Sequence, residues 1–422
     1  MFDTTGQKRP LARTVRLDRD IDLLDVAGHD GILFTKGRRG LAGSGVAFSI
    51  ELPRSSPSEA ARVVADSFRK IDVEDDVGLP GCGPVAFGAL PFDPAIAGRL
   101  VVPRLVVGRA EDGSRWVTAI GPDDTDPIDA LAVRLRSCEL NGATPIAVEA
   151  VDFSIRSSRE PSEWCAAVAE AREAIRSGHA RKVVLAREIV VSTSAPVSKY
   201  AVLSRLRTAY PGCYLYAVDA LVGASPELLV ARSGEIVRSH PMAGTAPRSG
   251  DPTTDARLAA GLLASTKDQE EHRITIDMVH DTLLPWCSYL DEEAEPSIVA
   301  IANVQHLATM VEGRLSSPPA SVIELMTALH PTPAVCGHPR EAALALIAKY
   351  EGLDRGAYAG PVGWVDAAGN GEWAVGIRCA AIDGTTARLY AGVGVVADSD
   401  PRKELAETQA KLQALLGAII RP

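Results

Sequence analysis

Lys182 opens the apolar run Lys182-Val183-Val184-Leu185-Ala186-Arg187, where a lysine is either a flanking charge kept in water at a strand end or a base. Further along, Ser225-Pro226-Glu227 sets a carboxylate at the head of the apolar run Glu227 to Val230. An edge-strand glutamate at the surface costs nothing there, whereas one pointing inward is expensive unless it is used. Arg378 falls inside a strand read from Ala374 to Ile382, and an arginine among apolar neighbours usually pairs with a carboxylate, of the protein or of a ligand. Met242-Ala243-Gly244-Thr245-Ala246 and Ala391-Gly392-Val393-Gly394 bring bare backbone N–H groups to places where an anion could be held. His306 and His330 stand alone and read as structural histidines.

Two helices offer carboxylates in pairs. Glu404, Glu407 and Lys411 lie at i, i+3 and i+7 of a helix read from Pro401 to Ile419, with Ser399 or Asp400 as its cap. They form one ridge beside the apolar stripe Leu405, Leu412, Leu415 and Leu416. Asp268 and Glu271 repeat the pattern in Lys267-Asp268-Gln269-Glu270-Glu271-His272, on a helix read from Asp255 to Leu284. A solvated charged face has the same spacing. Two such helices without a Cys or His cluster would also suit a hard cation such as Mg²⁺, which takes oxygen ligands and keeps waters that a substrate carboxylate can replace; Ca²⁺ or no metal fits equally.

The elements that must position these groups read as mixed α and β. Residues 1–150 carry short strand-like runs at Gly31 to Thr35, Gly45 to Leu52, Leu100 to Val107 and Arg115 to Ile120, with helices near 57–71 and 127–137, and are chemically quiet. Asp152 to Pro161, rich in Ser and Arg, reads as a linker or surface loop before a helix that ends ahead of Gly178. There follow a strand from Lys182 to Ser192, a helix near 198–209, paired strands Cys213 to Val218 and Glu227 to Arg232, and antiparallel strands over Gly360 to Val396 with a turn at Gly369-Asn370-Gly371. The motif-bearing portion spans 155–420.

Composition narrows the classes. A chain of 422 residues that is 46% hydrophobic can bury a large core, and length alone favours two or three domains. Its net charge of −10 supplies no evident basic surface for nucleic acid or an anionic membrane, which leaves a small-molecule substrate. Seven scattered cysteines without a CxxC pair read as reduced thiols of a cytoplasmic protein. Met1 to Arg16 has no apolar core, so no signal peptide is expected, and no run is long enough to span a bilayer.

In chain order, Gly88-Ala89-Leu90-Pro91-Phe92-Asp93-Pro94, the Lys182 run, Ala224-Ser225-Pro226-Glu227, Ala243-Gly244-Thr245, Lys267 to His272, His330-Pro331-Thr332-Pro333-Ala334, Gly369-Asn370-Gly371-Glu372-Trp373, Ile377-Arg378-Cys379-Ala380, Ala391-Gly392-Val393-Gly394-Val395 and Glu407-Thr408-Gln409-Ala410-Lys411 resemble the chorismate-utilising enzymes. That family includes isochorismate, salicylate, anthranilate and aminodeoxychorismate synthases, and the match covers residues 85–416. The resemblance implies one domain over 1–422, of α/β (α+β) class, in which two antiparallel sheets pack as a sandwich with helices outside, as in anthranilate synthase component I. Members that add ammonia carry glutamine at the position of Lys182, whereas those that add water carry lysine. The His330 and Gly369 motifs resemble siderophore-pathway isochorismate synthases, with menaquinone-pathway enzymes the nearer confusion. Gly-Val-Gly-Val stands where Gly-Ala-Gly-Ile is common.

By the same resemblance, Lys182 is the base that activates water for addition at C2 of chorismate, and Glu227 the acid that protonates the departing C4 hydroxyl. Lys182 should then be desolvated, with its proton affinity lowered, and that of Glu227 raised. Glu271 and Glu407 correspond to ligands for Mg²⁺, with Asp268 and Glu404 beside them. Arg378 and the backbone around Gly394 correspond to groups that hold the enolpyruvyl carboxylate, and Gly244, Thr245, His306, Ala334, Tyr358 and Lys411 line the same pocket. A monomer without a glutaminase subunit is implied. The competing readings are a salicylate synthase, which goes on to eliminate pyruvate, an ammonia-adding synthase, which Lys182 opposes, and a non-catalytic chorismate-binding relative.

Overall fold

The computed structural model describes residues 9–54, 56–122, 125–142, 152–301 and 304–420. Thirteen strands form one sheet and nine another, and a three-stranded sheet, unforeseen in the sequence, joins Met242–Pro247, Val304–Ala308 and Ser297–Ile301. Their pairings are antiparallel except for Leu11–Arg16 against Asp72–Asp75. Period-two alternation sorts side chains between two apolar layers. Along Tyr214–Val218, residues Tyr214, Tyr216 and Val218 point into the cluster that also holds Phe87, Trp364 and Trp373 of the nine-stranded sheet. Leu215 and Ala217 point the other way, under helices that contribute Leu203, Leu206, Leu412 and Leu415. The result is the expected sandwich with helices outside. Its inner cluster draws on residues from Ala12 to Val395, so the quiet and the motif-bearing portions share one core.

Strands leave one sheet for the other where the backbone loses a donor or turns sharply. The run Leu100 to Val107 breaks at Pro103 into Gly98–Val102, in the nine-stranded sheet, and Leu105–Arg109, in the larger one. The expected pairing of Cys213 to Val218 with Glu227 to Arg232 is corrected. Tyr214–Val218 pairs with Leu221–Ser225, while Leu228–Ser233 joins Ile236–His240 and Gly371–Val375 in the other sheet, and the chain crosses between them at Pro226-Glu227. The run Ala374 to Ile382 is likewise not one strand. Gly371–Val375 and Cys379–Asp383 belong to different sheets, and Arg378 lies in the crossover with φ of 52°.

Two further readings change. The expected linker contains an edge strand, Phe153–Ser157, paired with Lys182–Thr193; its Phe/Ile alternation was hidden among Ser and Arg. The single helix read from Asp255 to Leu284 is two, Pro252–Ala264 and Thr266–Leu283, because Ser265 takes extended angles (φ −76°, ψ 107°) and its hydroxyl accepts the Asp268 N–H at 3.3 Å. That break sets Asp268 in the first turn of a new helix. The C-terminal helix, Pro401–Ile420, is capped by Asp400, whose carboxylate accepts the N–H groups of Arg402 and Lys403, both at 3.0 Å.

The Lys182–Thr193 strand is anchored from behind by a buried ion pair. Arg355 donates to Glu351 through Nε at 2.7 Å and Nη2 at 2.6 Å, and to the carbonyls of Val184 (2.8 Å) and Val335 (2.9 Å). Glu351 in turn accepts the Ala186 N–H at 2.7 Å. Removing one partner leaves the other charged and buried. Arg355→Met should therefore lower stability by about 3 to 5 kcal/mol in urea denaturation, and a loss near zero would show that the pair is replaceable.

Candidate active site

A cavity of about 320 Å³ opens where the two crossovers, the small sheet and the helices Thr266–Leu283 and Pro401–Ile420 converge. Glu227, Gly244, Thr245, Asp268, Glu271, His306, Ala334, Tyr358, Arg378, Gly394, Glu404, Glu407 and Lys411 all line it. Lys182 stands behind that lining, 1% exposed, with its Nζ 2.8 Å from Glu271 Oε1. Burial alone would push Glu271 up, but the Lys182 ammonium, with Lys411 and Lys267 beyond it, holds its carboxyl below the usual range. Room for the pair comes from Gly394, where a Cβ would meet Lys182 Cε at 3.0 Å and Glu271 Oε1 at 3.1 Å.

Glu227 shows the opposite balance. Only 3% exposed, it is pushed up to about 7 by burial, against a Met242 backbone hydrogen bond and the charges of Lys182 and Arg378. Its own backbone is fixed at the crossover, since its N–H donates to Ser225 Oγ at 3.2 Å and its carbonyl accepts from Val375 N–H at 3.1 Å. Two carboxylates of one cavity thus sit on opposite sides of their ordinary value. Of the two, Glu227 is thereby the one suited to give up a proton near neutral pH.

Arg378 turns to His306 rather than to a carboxylate, with Nη2 3.3 Å from His306 Nε2. A guanidinium only donates, so Nε2 accepts and the ring proton is on Nδ1, which donates to Gly244 O at 3.1 Å and lies 3.1 Å from Thr245 Oγ1. Burial, then Arg378 and Lys411, push His306 down to about 3, so it stays neutral and leaves the charge of Arg378 uncancelled. Gly244, with φ of 75°, sits at the register shift that brings Thr245 opposite His306.

Gly392 and Gly394 lie within the strand Thr386–Val395, not in a loop, opposite Ala186 and Val184. Val184 gives its N–H to Cys336 and its carbonyl to Arg355, and Ala186 gives its N–H to Glu351 and its carbonyl to Trp164. The two glycines therefore direct their backbone groups away from that neighbour, and Lys411 Nζ caps Gly392 O at 2.9 Å. Tyr390, which shares their strand face and lines the cavity, was missed in the sequence. Its ring stacks on Tyr358 with centroids 5.0 Å apart, and the spacing 390, 392, 394 was the signal for it.

For a cation, the donor chemistry fits. Glu407 is held by Lys411 at 2.7 Å, and Glu404 is pushed up to about 7, by burial and then by the charge of Glu407, against a Ser399 hydrogen bond. Such a carboxyl gains from a positive partner. No three of the described His, Cys, Asp and Glu side chains converge as a ready cage, and Mg²⁺ commonly uses one or two carboxylates, waters and the ligand itself.

A family model described as chorismate binding enzyme matches residues 32–420. The chain belongs to that family. It is 38% identical over 347 residues to isochorismate synthase DhbC of Bacillus subtilis, covering 80% of this chain and 81% of the relative. Among solved structures, a putative 2,3-dihydroxybenzoate-specific isochorismate synthase from Bacillus anthracis superposes with a TM-score of 0.77 at 34% identity, over 94% of this chain and 98% of that one. Anthranilate synthase component I from Streptococcus pneumoniae, at 23% identity and a TM-score of 0.71 over 92% and 94%, shares the fold.

The raised Glu227 carboxyl has a consequence for stability. Its folded value, about 7, lies above the ordinary 4.5, so between these pH values the folded protein keeps a proton that the unfolded chain has released. Stability from this group is full at low pH and falls as pH rises through that window, by roughly 3 kcal/mol over the whole shift. Glu227→Gln should then be more stable than the parent at about pH 8.5, with the gain shrinking toward pH 5. Urea melts at both pH values decide it, and a pH-independent difference would refute the assigned environment.

Proposed function

We infer that the chain is an isochorismate synthase, which adds water at C2 of chorismate as the double bonds shift and the C4 hydroxyl leaves. The observation that carries this is the pairing of a buried lysine at position 182 with Glu227 of the crossover, whose carboxyl is pushed up to about 7, around one cavity. Names borne by the relatives support isochorismate as the product over salicylate and pyruvate.

In this reading Lys182 first gives up its extra proton to solvent in the cavity, and the neutral amine then exchanges its contact with Glu271 for the attacking water and takes the proton from it. Glu227, pushed up to about 7, keeps a proton in a substantial fraction of the molecules near neutral pH, and that form delivers it to the departing C4 oxygen. Arg378, kept charged and oriented by neutral His306, binds the enolpyruvyl carboxylate beside the outward backbone of Gly394. Glu271 and Glu407, with Asp268 and Glu404 near, would hold Mg²⁺, which when bound supplies a Lewis acid that orients the ring carboxylate. Tyr358 and Ala334 close the wall beside the ring. No helix among the described residues is long and apolar enough to cross a membrane, and the seven cysteines are free thiols, which supports a cytoplasmic protein; we read it as acting as a monomer.

Incubation with chorismate and Mg²⁺, with and without ammonia, followed by chromatography and mass analysis, should yield isochorismate alone. Salicylate with pyruvate, or an aminated product, would overturn the reading. Lys182→Ala and Glu227→Gln should each lose at least about 10² in kcat with the fold intact by circular dichroism. Gly394→Ala, whose Cβ would press on Lys182 Cε and Glu271 Oε1 so that each must give way by a few tenths of an ångström, should lose at least about tenfold. Parent-like turnover in any of the three would remove that residue from the mechanism.

A further inference from the structure

The two acidic helices carry the same five-residue pattern, Lys267-Asp268-x-x-Glu271 and Lys403-Glu404-x-x-Glu407, in their first turns and on different walls of the cavity. The carboxylates of this pattern have been placed above. The two lysines have not. Both are exposed, both line the cavity, and neither side chain makes an ion pair or hydrogen bond among the described residues. Every other cation of the lining has a partner, since Lys411 holds Glu407 and Gly392 O, and Arg378 holds His306.

Their chemistry answers a problem that the rest of the cavity creates. Chorismate carries two carboxylates, whereas the lining presents five acidic side chains of its own, Asp268, Glu271 and Glu407 together with Glu227 and Glu404, the last two pushed up to about 7, in a chain of net charge −10. A dianion approaching that mouth is repelled at long range unless positive charge stands at the entrance. We propose that Lys267 and Lys403 are a matched pair of entrance cations that capture the dianionic substrate and set its specificity constant, while taking no part in the bond changes. This rests on the isochorismate synthase reading and names two specificity-determining residues for it.

The test is steady-state turnover of chorismate by Lys267→Gln, Lys403→Gln, the double variant and the Lys267→Arg/Lys403→Arg pair, each at several ionic strengths. The double glutamine variant should lose about tenfold in kcat/KM at low salt, keep kcat at saturating substrate within about twofold, and show a flatter dependence on salt than the parent. Arginine, which restores charge but not shape, should recover most of the loss. An unchanged kcat/KM, an unchanged salt slope, or a fall confined to kcat would overturn the proposal. The parent control separates the two ideas. If it makes no isochorismate, the function itself is wrong, whereas an active parent with indifferent glutamine variants removes only the entrance role.

Discussion

A buried ammonium that touches one carboxylate governs this site. Lys182 has almost no contact with solvent, and its nearest anion is Glu271 at 2.8 Å. Taking either charge out of water alone costs several kcal/mol, so each needs the other, and the strand and helix that carry them are bound to one relative placement. The missing side chain at Gly394 and the Arg355–Glu351 clamp behind Val184 and Ala186 serve that placement from two sides. Because Glu271 also faces the cavity, a ligand that binds this carboxylate acts on Lys182 as well.

The crossovers explain how two sheets can build one site. A strand inside a sheet spends its N–H and C=O groups on neighbours and presents side chains only up or down. Where the chain leaves one sheet for the other, that constraint lapses. Glu227 follows the Pro226 break and Arg378 the turn with positive φ, so both project from backbone that belongs fully to neither layer. Such positions are costly in backbone terms and persist where the surrounding structure holds them, as Ser225, Val375 and Ala224 do here.

This is also where legibility in the sequence ends. The long helices and strands were readable because period acts locally, whereas the sandwich class and the residues gathered round the cavity were legible only through the family resemblance that the motifs carry. Sheet membership was not. Cys213 to Val218 and Glu227 to Arg232 look like a hairpin, and only a three-dimensional argument assigns them to different layers. Ala374 to Ile382 has strand composition throughout, yet the Gly376-Ile377-Arg378 crossover divides it. The split at Ser265 and the edge strand at Phe153–Ser157 were missed for a gentler reason: a hydroxyl cap inside a helical period, and a short alternation under polar neighbours, give weak signals.

Within the cavity, charge environment rather than residue type separates the roles. Glu227 is buried and Glu271 half-buried, and desolvation raises both; the difference is that Glu271 has an ammonium in contact, whereas Glu227 feels Lys182 and Arg378 only at a distance. Lys182 thus shapes two carboxylates at once. A neutral glutamine at 182 would remove more than the proposed base: Glu271 would lose its contact cation, its proton affinity would rise, and the contrast between the two glutamates would fade. In the proposed reaction the choice of nucleophile and the electrostatics of the carboxylate cluster would both rest on this one side chain, so neither could change without the other.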